Sequence, residues 1–520
     1  MITMKSKREK ICLICIMLFA VGTRLVGLKY LPEGTLPDEA YGAYNAWGLL
    51  TEGIDSRGYA YPVYFVAWGS GMNVLYSYLA MPFLWLFGAE TAVYRLPQAL
   101  IGITSVYALY VLGRELFDQK FGLFLAFVLA LNPWHIMMSR YGLESNLAPG
   151  MFLIGLCFLV LGCKKRSSYL ILAAVFLGAT LYCYAITWLL IPLFLLLFLL
   201  LYRKWISGKL YAVLAVGLLF LLALPLLLFL AVNFGLIGEI RTAYFSIPRL
   251  TGMRNGELSG FHIWEGLSDL TRILLSQYDG VSSTASRLVG AYYLFTTPFF
   301  VLGVVWHGIS LVKDYKRGKN DLQYVFLIWF LSAVAVSVLN ENITMIHINM
   351  IHIPVIFYGA YGIWKTADKL RSVRLLPACI AFFGLSFLLF IQDYVTYEEP
   401  RFFGQKSREA LERAKELAGE DTITILEYAT YKYSNLLWDE KPNIRDYCEN
   451  VVYNGDTHFA EMLSYGQYRY IADIGQVEGS GVYLFQPSYE EAFRDMGFWV
   501  EKVNDNYFVA IKSAASEALP

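Results

Sequence analysis

The chain has 520 residues, of which 57% are hydrophobic and only 16% are charged, with 42 basic against 42 acidic side chains. Soluble domains carry about 25% charged residues, so the composition predicts a polytopic α-helical membrane protein and excludes an ordinary soluble one. The zero net charge argues against a nucleic-acid role based on a global basic field.

The first apolar segment, ICLICIMLFAVGTRLVGL, follows four basic residues within positions 5–10. It resembles a signal sequence but has no convincing small-residue cleavage site. We therefore interpret it as a retained membrane helix whose N-terminus is cytoplasmic.

Loops rich in Lys and Arg mark the cytoplasmic side, and a spanning helix needs about 20 apolar residues. If every basic loop is cytoplasmic, each pair of neighbouring loops must enclose an even number of crossings. The pattern then predicts about eleven transmembrane helices, an extracytoplasmic C-terminus and two large outer loops, at 30–91 and 233–287. The basic loops lie at 5–10, 113–120, 163–166, 202–209, 313–319 and 365–374.

Two apolar stretches, 72–88 and 92–112, lie between the outer segment with the acidic residues and the cytoplasmic loop at 113–120. A chain that passes from the outside to the inside crosses the membrane an odd number of times, so only one of the two stretches can span it. The first stretch is short and contains Pro82. It is therefore predicted to be a juxtamembrane helix of the first outer loop.

The composition changes near residue 397. The C-terminal part shows helical spacing at 407–419 and 489–498 and strand-like segments beginning at 421, 468, 481 and 506. We predict a small extracytoplasmic α/β domain over 397–520, following a transmembrane catalytic domain over 1–396. An accessory or acceptor-binding role and a purely structural role both stay open for it.

The predicted topology places several polar residues at the outer boundary. Asp38 and Glu39, in TLPDEAYGAY at 35–44, follow Pro37. An acid in the first turn of a helix complements the helix dipole, which explains one carboxylate but does not require two. A carboxylate in a cleft can also accept a proton from an attacking hydroxyl.

Basic residues stand at the same boundary. Arg95 begins the second predicted span, where it either extends towards the lipid headgroups or makes a charge-assisted contact to a phosphate, to Asp38 or to Glu39. The stretch NPWHIMMSRYGLESN at 132–146 adds His135, Arg140 and Glu144. Glu144 is either a second functional carboxylate or an ordinary acid at the start of a helix.

The last polar candidates are Asp279, in a turn signal with Gly280, and His347 and Asn349, which open the tenth predicted span. His347 and His352 are five positions apart, which is poor spacing for one metal ion. No metal site is predicted from them.

These motifs together are similar to those of glycosyltransferase family 39, which includes the protein O-mannosyltransferases. The similarity covers about residues 10–395 and rests on the acidic pair, RLP at 95–97, GRELF at 113–117, NPWHIMMSRYGLESN, the 278–303 segment and the 348–363 segment. The resemblance implies a GT-C fold with juxtamembrane helices in the first outer loop. Its donor would be a polyprenyl-phosphate-linked sugar.

The resemblance also implies roles for individual residues. Asp38 is the expected catalytic carboxylate, with Glu39 beside it and Glu144 as a second acid. Arg95 and Arg140 are expected to face the donor phosphate. The remaining substrate-binding candidates are His135, His347, Asn349 and Asp279. Two features depart from the family pattern. His347 stands where an Arg is expected. The first outer loop is shorter and more aromatic than in protein-mannosylating members, and this second difference argues against a protein acceptor.

We therefore expect a hexosyl- or pentosyltransferase in a bacterial plasma membrane that moves a sugar to an acceptor hydroxyl on the extracytoplasmic face, with inversion. The acceptor (glycan, lipid or protein) is left open. No cofactor is certain, and a divalent cation is an open alternative. The main competing function is a lipid-linked sugar flippase or another transporter, although such proteins usually carry charges near the bilayer midplane.

Overall fold

A computed structural model describes residues 7–68, 71–252, 263–281, 283–319, 321–340, 343–396, 406–427, 432–454 and 461–512. Contacts group the chain into two units. The helical unit comprises Met1–Leu31, Arg95–Leu227 and Arg254–Tyr397, and the mixed unit comprises Pro32–Tyr94, Leu228–Met253 and Glu398–Pro520.

The α-helices of the described residues, in chain order, are α1 Lys7–Leu25, α2 Pro37–Thr51, α3 Leu75–Phe87, α4 Thr91–Tyr94, α5 Leu96–Leu116, α6 Gln119–Leu131, α7 Pro133–Met138, α8 Glu144–Lys164, α9 Tyr169–Thr180, α10 Thr187–Tyr202, α11 Lys209–Asn233, α12 Ile263–Ser276, α13 Thr297–Lys316, α14 Val325–Ser337, α15 His352–Lys369, α16 Leu375–Thr396, α17 Ser407–Ala418, α18 Tyr433–Glu440, α19 Ile444–Asn450 and α20 Glu490–Asp495. The strands are β1 Ile240–Arg241, β2 Ser246–Ile247, β3 Ile423–Leu426, β4 Val452–Tyr453, β5 Met462–Tyr465, β6 Tyr468–Ile471, β7 Gly481–Phe485, β8 Trp499–Lys502 and β9 Phe508–Lys512.

Within these described ranges, 6 helical segments are long and apolar enough to cross a membrane by length and composition. They are Thr91–Leu116, Glu144–Lys164, Thr187–Trp205, Lys209–Asn233, Leu294–Lys316 and Leu375–Thr396, and shorter apolar helices lie at Leu75–Phe87, Gln119–Leu131, Tyr169–Thr180 and Leu322–Ser337. The multi-helical membrane architecture is therefore confirmed, whereas the number of eleven crossings and their direction stay predictions. Helix α3, predicted to be juxtamembrane, has 13 residues, or about 20 Å, which is short for a membrane crossing.

Two predicted helices begin later than expected. The span expected directly after the predicted outer loop 233–287 starts at Thr297, and the tenth predicted span starts at His352, after His347 and Asn349. In both places the preceding residues form turns and 3₁₀ helices. Tyr293 has a positive φ of 69°, a conformation that a continuing α-helix does not allow. The sequence interpretation also missed α12, an amphipathic helix inside the predicted outer loop.

Helices α13 and α15 approach each other through two glycines. A methyl group at Gly362 would overlap the carbonyl oxygen of Phe299, and one at Gly303 would overlap that of Tyr358. Both obstacles are backbone atoms, which cannot move aside as a side chain does. Small residues therefore set the distance between these helices.

We expect Gly362→Ala to lower the melting temperature of the purified protein in detergent, because overpacking of this kind costs about 1–3 kcal/mol. Gly308→Ala is the matched control, since Gly308 lies on α13 with nothing within 4 Å of an added methyl group. Equal melting temperatures for the two variants would contradict this view of the α13–α15 contact.

The C-terminal part of the mixed unit contains a seven-stranded sheet of order β4-β5-β6-β3-β7-β9-β8. Strand β3 pairs in parallel with both β6 and β7, and β9 pairs antiparallel with β7 and β8. One face is filled by an aromatic core in which Phe485 stacks on Phe493 of α20 at 4.1 Å between ring centroids. This arrangement confirms the predicted sheet domain, whereas its extracytoplasmic location stays a prediction.

Candidate functional site

The acidic pair opens α2 in the mixed unit, directly after Pro37 at the first helical position. The two carboxylates have opposite environments. Asp38 is exposed, whereas Glu39 is completely buried, at 0% exposure. Successive side chains on a helix point about 100° apart. The packing of α2 therefore leaves one of the two neighbouring acids in solvent and buries the other.

Helix α18 fixes the entry into α2. Asn435 Nδ2 donates to the carbonyl oxygen of Thr35 at 2.7 Å and to its Oγ1 at 2.9 Å. Ser434 Oγ donates to the carbonyl oxygen of Pro37 at 2.8 Å. These bonds hold the backbone directly before Asp38, so Asp38 projects from a fixed position.

Other elements hold the rest of α2. Ser77 Oγ of α3 donates to the carbonyl oxygen of Gly42 at 2.9 Å. Tyr44 donates its hydroxyl hydrogen to the carbonyl oxygen of Pro442 at 3.2 Å. Helix α2 is therefore a rigid support within the mixed unit.

Asp55, which the sequence interpretation did not single out, is completely buried just after α2. Its Oδ1 accepts from the backbone N–H groups of Arg57 at 2.9 Å and Tyr59 at 2.8 Å, which closes the turn. Its Oδ2 has no hydrogen-bond partner among the described residues. Burial raises the pKa of Asp55 to about 6.

This shift predicts a pH-dependent stability. Because the folded pKa lies above the usual value of about 3.9, the folded protein holds the proton more tightly, and stability falls as pH rises from about 4 to about 6. Asp55→Asn retains the Oδ1 acceptor and removes the charge. We expect its melting temperature to exceed that of the wild type by roughly 2 °C at pH 7 and to match it at pH 4.

Thermal unfolding at both pH values measures this difference. Asp421→Asn, at an exposed position, is the charge-matched control and should change neither value. A destabilised Asp55→Asn variant at pH 7 would instead indicate that the ionised carboxylate is required in the fold.

In the helical unit, Arg24 is a buried cation near the end of α1. Its side chain is 0% exposed and donates to the carbonyl oxygens of Leu129 at 3.0 Å and Ala130 at 2.9 Å. It also donates to Nδ1 of His135 at 2.8 Å. The sequence interpretation missed Arg24, although a lone ionisable residue in an apolar helix signals function.

Arg140 lies close to Arg24. Its guanidinium donates to the carbonyl oxygens at the end of α1 and in the following turn, of Thr23 at 2.8 Å, Val26 at 2.9 Å and Leu31 at 3.1 Å. Its positive charge is close enough to repel those of Arg24 and Arg95.

Arg24, Arg95, His135 and Arg140 form what we call the arginine cluster. In the part of the chain that the structure describes, no ion pair joins Arg24 or Arg140 to a carboxylate. Arg95 is fully buried and its Nη1 donates to the carbonyl oxygen of Leu28 at 3.4 Å. Buried positive charge is costly, and a bound anion would offset part of this cost.

The starts of α5 and α8 lie side by side. Gln98 Nε2 donates to the carbonyl oxygen of Asn146 at 2.9 Å, and Asn349 Nδ2 donates to that of Ser145. The structure thus brings Asn349 to the first turn of α8, where Glu144 is half-buried. Two of the predicted residues, Glu144 and Asn349, are neighbours.

The other two predicted residues belong to loop contacts. Asp279 Oδ1 accepts from the N–H of Val281 at 3.1 Å, and its Oδ2 accepts from the N–H of Met345 at 2.8 Å. This carboxylate therefore ties two loops together. His347 is half-buried in the turn before the 3₁₀ helix Asn349–Ile351 rather than within a helix.

Among the described residues, no group of three or more His, Cys, Asp or Glu side chains is arranged to hold a metal ion. Asp38 and Glu39 belong to the mixed unit, whereas the arginine cluster, Glu144, Asp279, His347 and Asn349 belong to the helical unit. The roles predicted for all these residues stay predictions.

A family model for dolichyl-phosphate-mannose-protein mannosyltransferases matches residues 55–229. No curated protein matches the chain at a significant level. Among solved structures, ArnT from Cupriavidus metallidurans in the apo state matches with a TM-score of 0.58 and 12% identity, over 98% of this chain and 99% of ArnT. The chain has a GT-C fold.

Two further structures share the GT-C fold. ArnT bound to undecaprenyl phosphate gives a TM-score of 0.56 at 13% identity, over 97% of this chain and 98% of that one. The oligosaccharyltransferase AglB from Archaeoglobus fulgidus, in complex with an inhibitory peptide and a dolichol-phosphate, gives a TM-score of 0.55 at 13% identity. The match covers 99% of this chain and 75% of that one. At such identities the likeness concerns the fold. It confirms the resemblance to GT-C membrane glycosyltransferases and, with the apolar helices, a multi-pass membrane protein.

Proposed function

We propose that this protein is a membrane glycosyltransferase that transfers a hexose or pentose from a polyprenyl-phosphate-linked donor to an acceptor hydroxyl, in a bacterial plasma membrane. The GT-C fold and the match to the mannosyltransferase family model support this class of reaction. The arginine cluster supports an anionic donor, because its charge suits a phosphate.

The observation that carries the proposal is the contrast within the acidic pair. Asp38 is exposed at the start of a helix whose backbone is held by Asn435 and Ser434, whereas Glu39 is buried. A general base must reach the proton that it removes and must be held in position. Asp38 meets both requirements within the mixed unit.

The proposed reaction is a single displacement. Asp38 accepts the proton of the acceptor hydroxyl as its oxygen bonds to the anomeric carbon, and the bond from that carbon to the phosphate oxygen breaks. The polyprenyl phosphate leaves with the bonding electrons, and the anomeric centre inverts. Positive charge stabilises the departing phosphate.

The test uses purified protein in liposomes with a panel of polyprenyl-phosphate hexoses and pentoses. Mass spectrometry should detect free polyprenyl phosphate and a released or transferred sugar for at least one donor. Intact donor that moves between leaflets without any cleavage would replace the proposal with a flippase.

A divalent cation is a separate proposal, because the reaction also needs charge neutralisation at the phosphate and a metal ion can provide it. Loss of donor cleavage after EDTA treatment and its recovery with Mg²⁺ or Mn²⁺ would support the cation. Full activity in EDTA would remove it.

A further inference from the structure

The C-terminal part of the mixed unit contains a cavity of about 50 Å³ between the sheet and helices α17 and α18. Apolar residues of β3, β7 and α17 form part of its wall. Its polar wall is formed by Glu427, Lys432, Asn435, Asp439, Tyr470 and Tyr507. Apart from Asn435, which holds the backbone before Asp38, none of these residues was assigned a role by the sequence interpretation or by the proposed reaction.

The sheet topology makes this position suitable for a ligand. Strand β3 lies between the parallel strands β6 and β7. After β3 the chain first reaches β6 on one side of it and later reaches β7 on the other side. Ligands of open α/β sheets bind at the carboxyl ends of strands at such a switch point. Glu427 directly follows β3 and accepts from Gln486, directly after β7, at 3.0 Å.

The polar wall of the cavity contains two carboxylates, Glu427 and Asp439. Lys432 Nζ donates to Glu427 Oε1 at 3.0 Å, so these two charges neutralise each other. Asp439 Oδ2 accepts from Ser407 Oγ at 3.2 Å. Burial raises the pKa of Asp439 to about 6, which leaves its carboxylate ionised at neutral pH. The cavity wall therefore carries one net negative charge.

Asn435 provides the second, independent observation. Its side chain is only 7% exposed and its Nδ2 is used by Thr35. Its Oδ1 is buried without a hydrogen-bond partner among the described residues, and Asn435 is one of the residues that line the cavity. A buried amide oxygen without a donor costs free energy, and a ligand that donates hydrogen bonds would remove this cost.

We propose that this cavity binds a primary ammonium group on a short apolar stem, as part of a small molecule or of a larger headgroup. An ammonium carries three N–H donors and no acceptor, which matches Asp439 and Asn435 Oδ1. A water molecule needs only about 10–15 Å³, so the cavity also accommodates the carbon atoms next to the nitrogen.

Occupancy also bears on Asp38. Asn435 lines the cavity, and its Nδ2 donates to the carbonyl oxygen of Thr35, which lies three residues before Asp38. A ligand donating to Oδ1 would stiffen the start of α2. This consequence rests on the proposed function, whereas the binding itself does not depend on it.

The test uses the purified full-length protein in detergent and ethylammonium chloride as the probe. We expect a saturable rise in melting temperature that neither ethanol nor equal concentrations of sodium chloride produce. Asp439→Asn retains an oxygen that can accept from Ser407 and should weaken ethylammonium binding at least tenfold. Asp495→Asn, an exposed position on α20, should leave binding unchanged.

Lys432→Gln provides a second variant, because it frees the charge of Glu427 and should strengthen binding. No saturable effect of ethylammonium, an equal effect of ethanol, or unchanged binding in both cavity variants would overturn the proposal. Since melting requires no donor, its result is independent of whether the protein transfers a sugar.

Discussion

Asp38→Asn should reduce sugar transfer by about a thousandfold, because a general base contributes roughly 10²–10⁴-fold to catalysis. The asparagine has nearly the same shape but cannot take the proton of the acceptor hydroxyl. Since Asp38 is exposed, its replacement should leave the melting temperature close to that of the wild type. The measurement is kcat for release of polyprenyl phosphate from the donor found active in the panel.

Glu39→Gln is the neighbouring comparison. Because Glu39 is completely buried, its substitution should alter melting temperature more than that of Asp38 and kcat less. If the two variants exchanged these effects, Glu39 rather than Asp38 would be the base.

Arg24→Gln should raise the Kd of a polyprenyl-phosphate donor a little over tenfold. For an assumed distance of about 10 Å to the phosphate, a unit charge contributes about 1.7 kcal/mol at an effective dielectric constant near 20, and 1.4 kcal/mol corresponds to tenfold. Donor binding by the detergent-solubilised protein, with inorganic phosphate as competitor, measures this loss.

Arg24→Lys separates charge from structure. Lysine keeps the positive charge but cannot reproduce the planar fork that reaches Leu129, Ala130 and His135. The Arg24→Lys variant should therefore have a lower melting temperature but retain most of the donor affinity. Arg374→Gln, on an exposed turn, is the control and should change neither quantity. Equal donor affinity in wild type and Arg24→Gln would exclude a role for this charge in binding.

The local sequence pattern was sufficient to predict the start of one helix and the position of several strands. Pro37 followed by two acids predicted the start of a helix, and α2 begins there. Alternation of apolar residues predicted the strands that became β3, β6, β7 and β9. These features depend on neighbouring residues, which is why a single sequence contains enough information for them.

Other features depend on contacts that no local pattern contains. Which acid of the pair is buried depends on bonds such as Asn435 to Thr35, between residues 400 positions apart. The late starts of α13 and α15 have a related cause. Buried apolar turns, with Tyr292 and Met345 among their residues, have the same composition as buried helices, so apolar content alone does not distinguish them.

The most direct test of the central claim compares binding and chemistry in one experiment. Wild-type protein and Asp38→Asn are each loaded with the active donor, acceptor is added, and bound donor and free polyprenyl phosphate are measured over a single turnover. We expect equal loading of both proteins and rapid carrier release from the wild type alone. Release at the wild-type rate from Asp38→Asn would contradict the assignment of the exposed acid as the base.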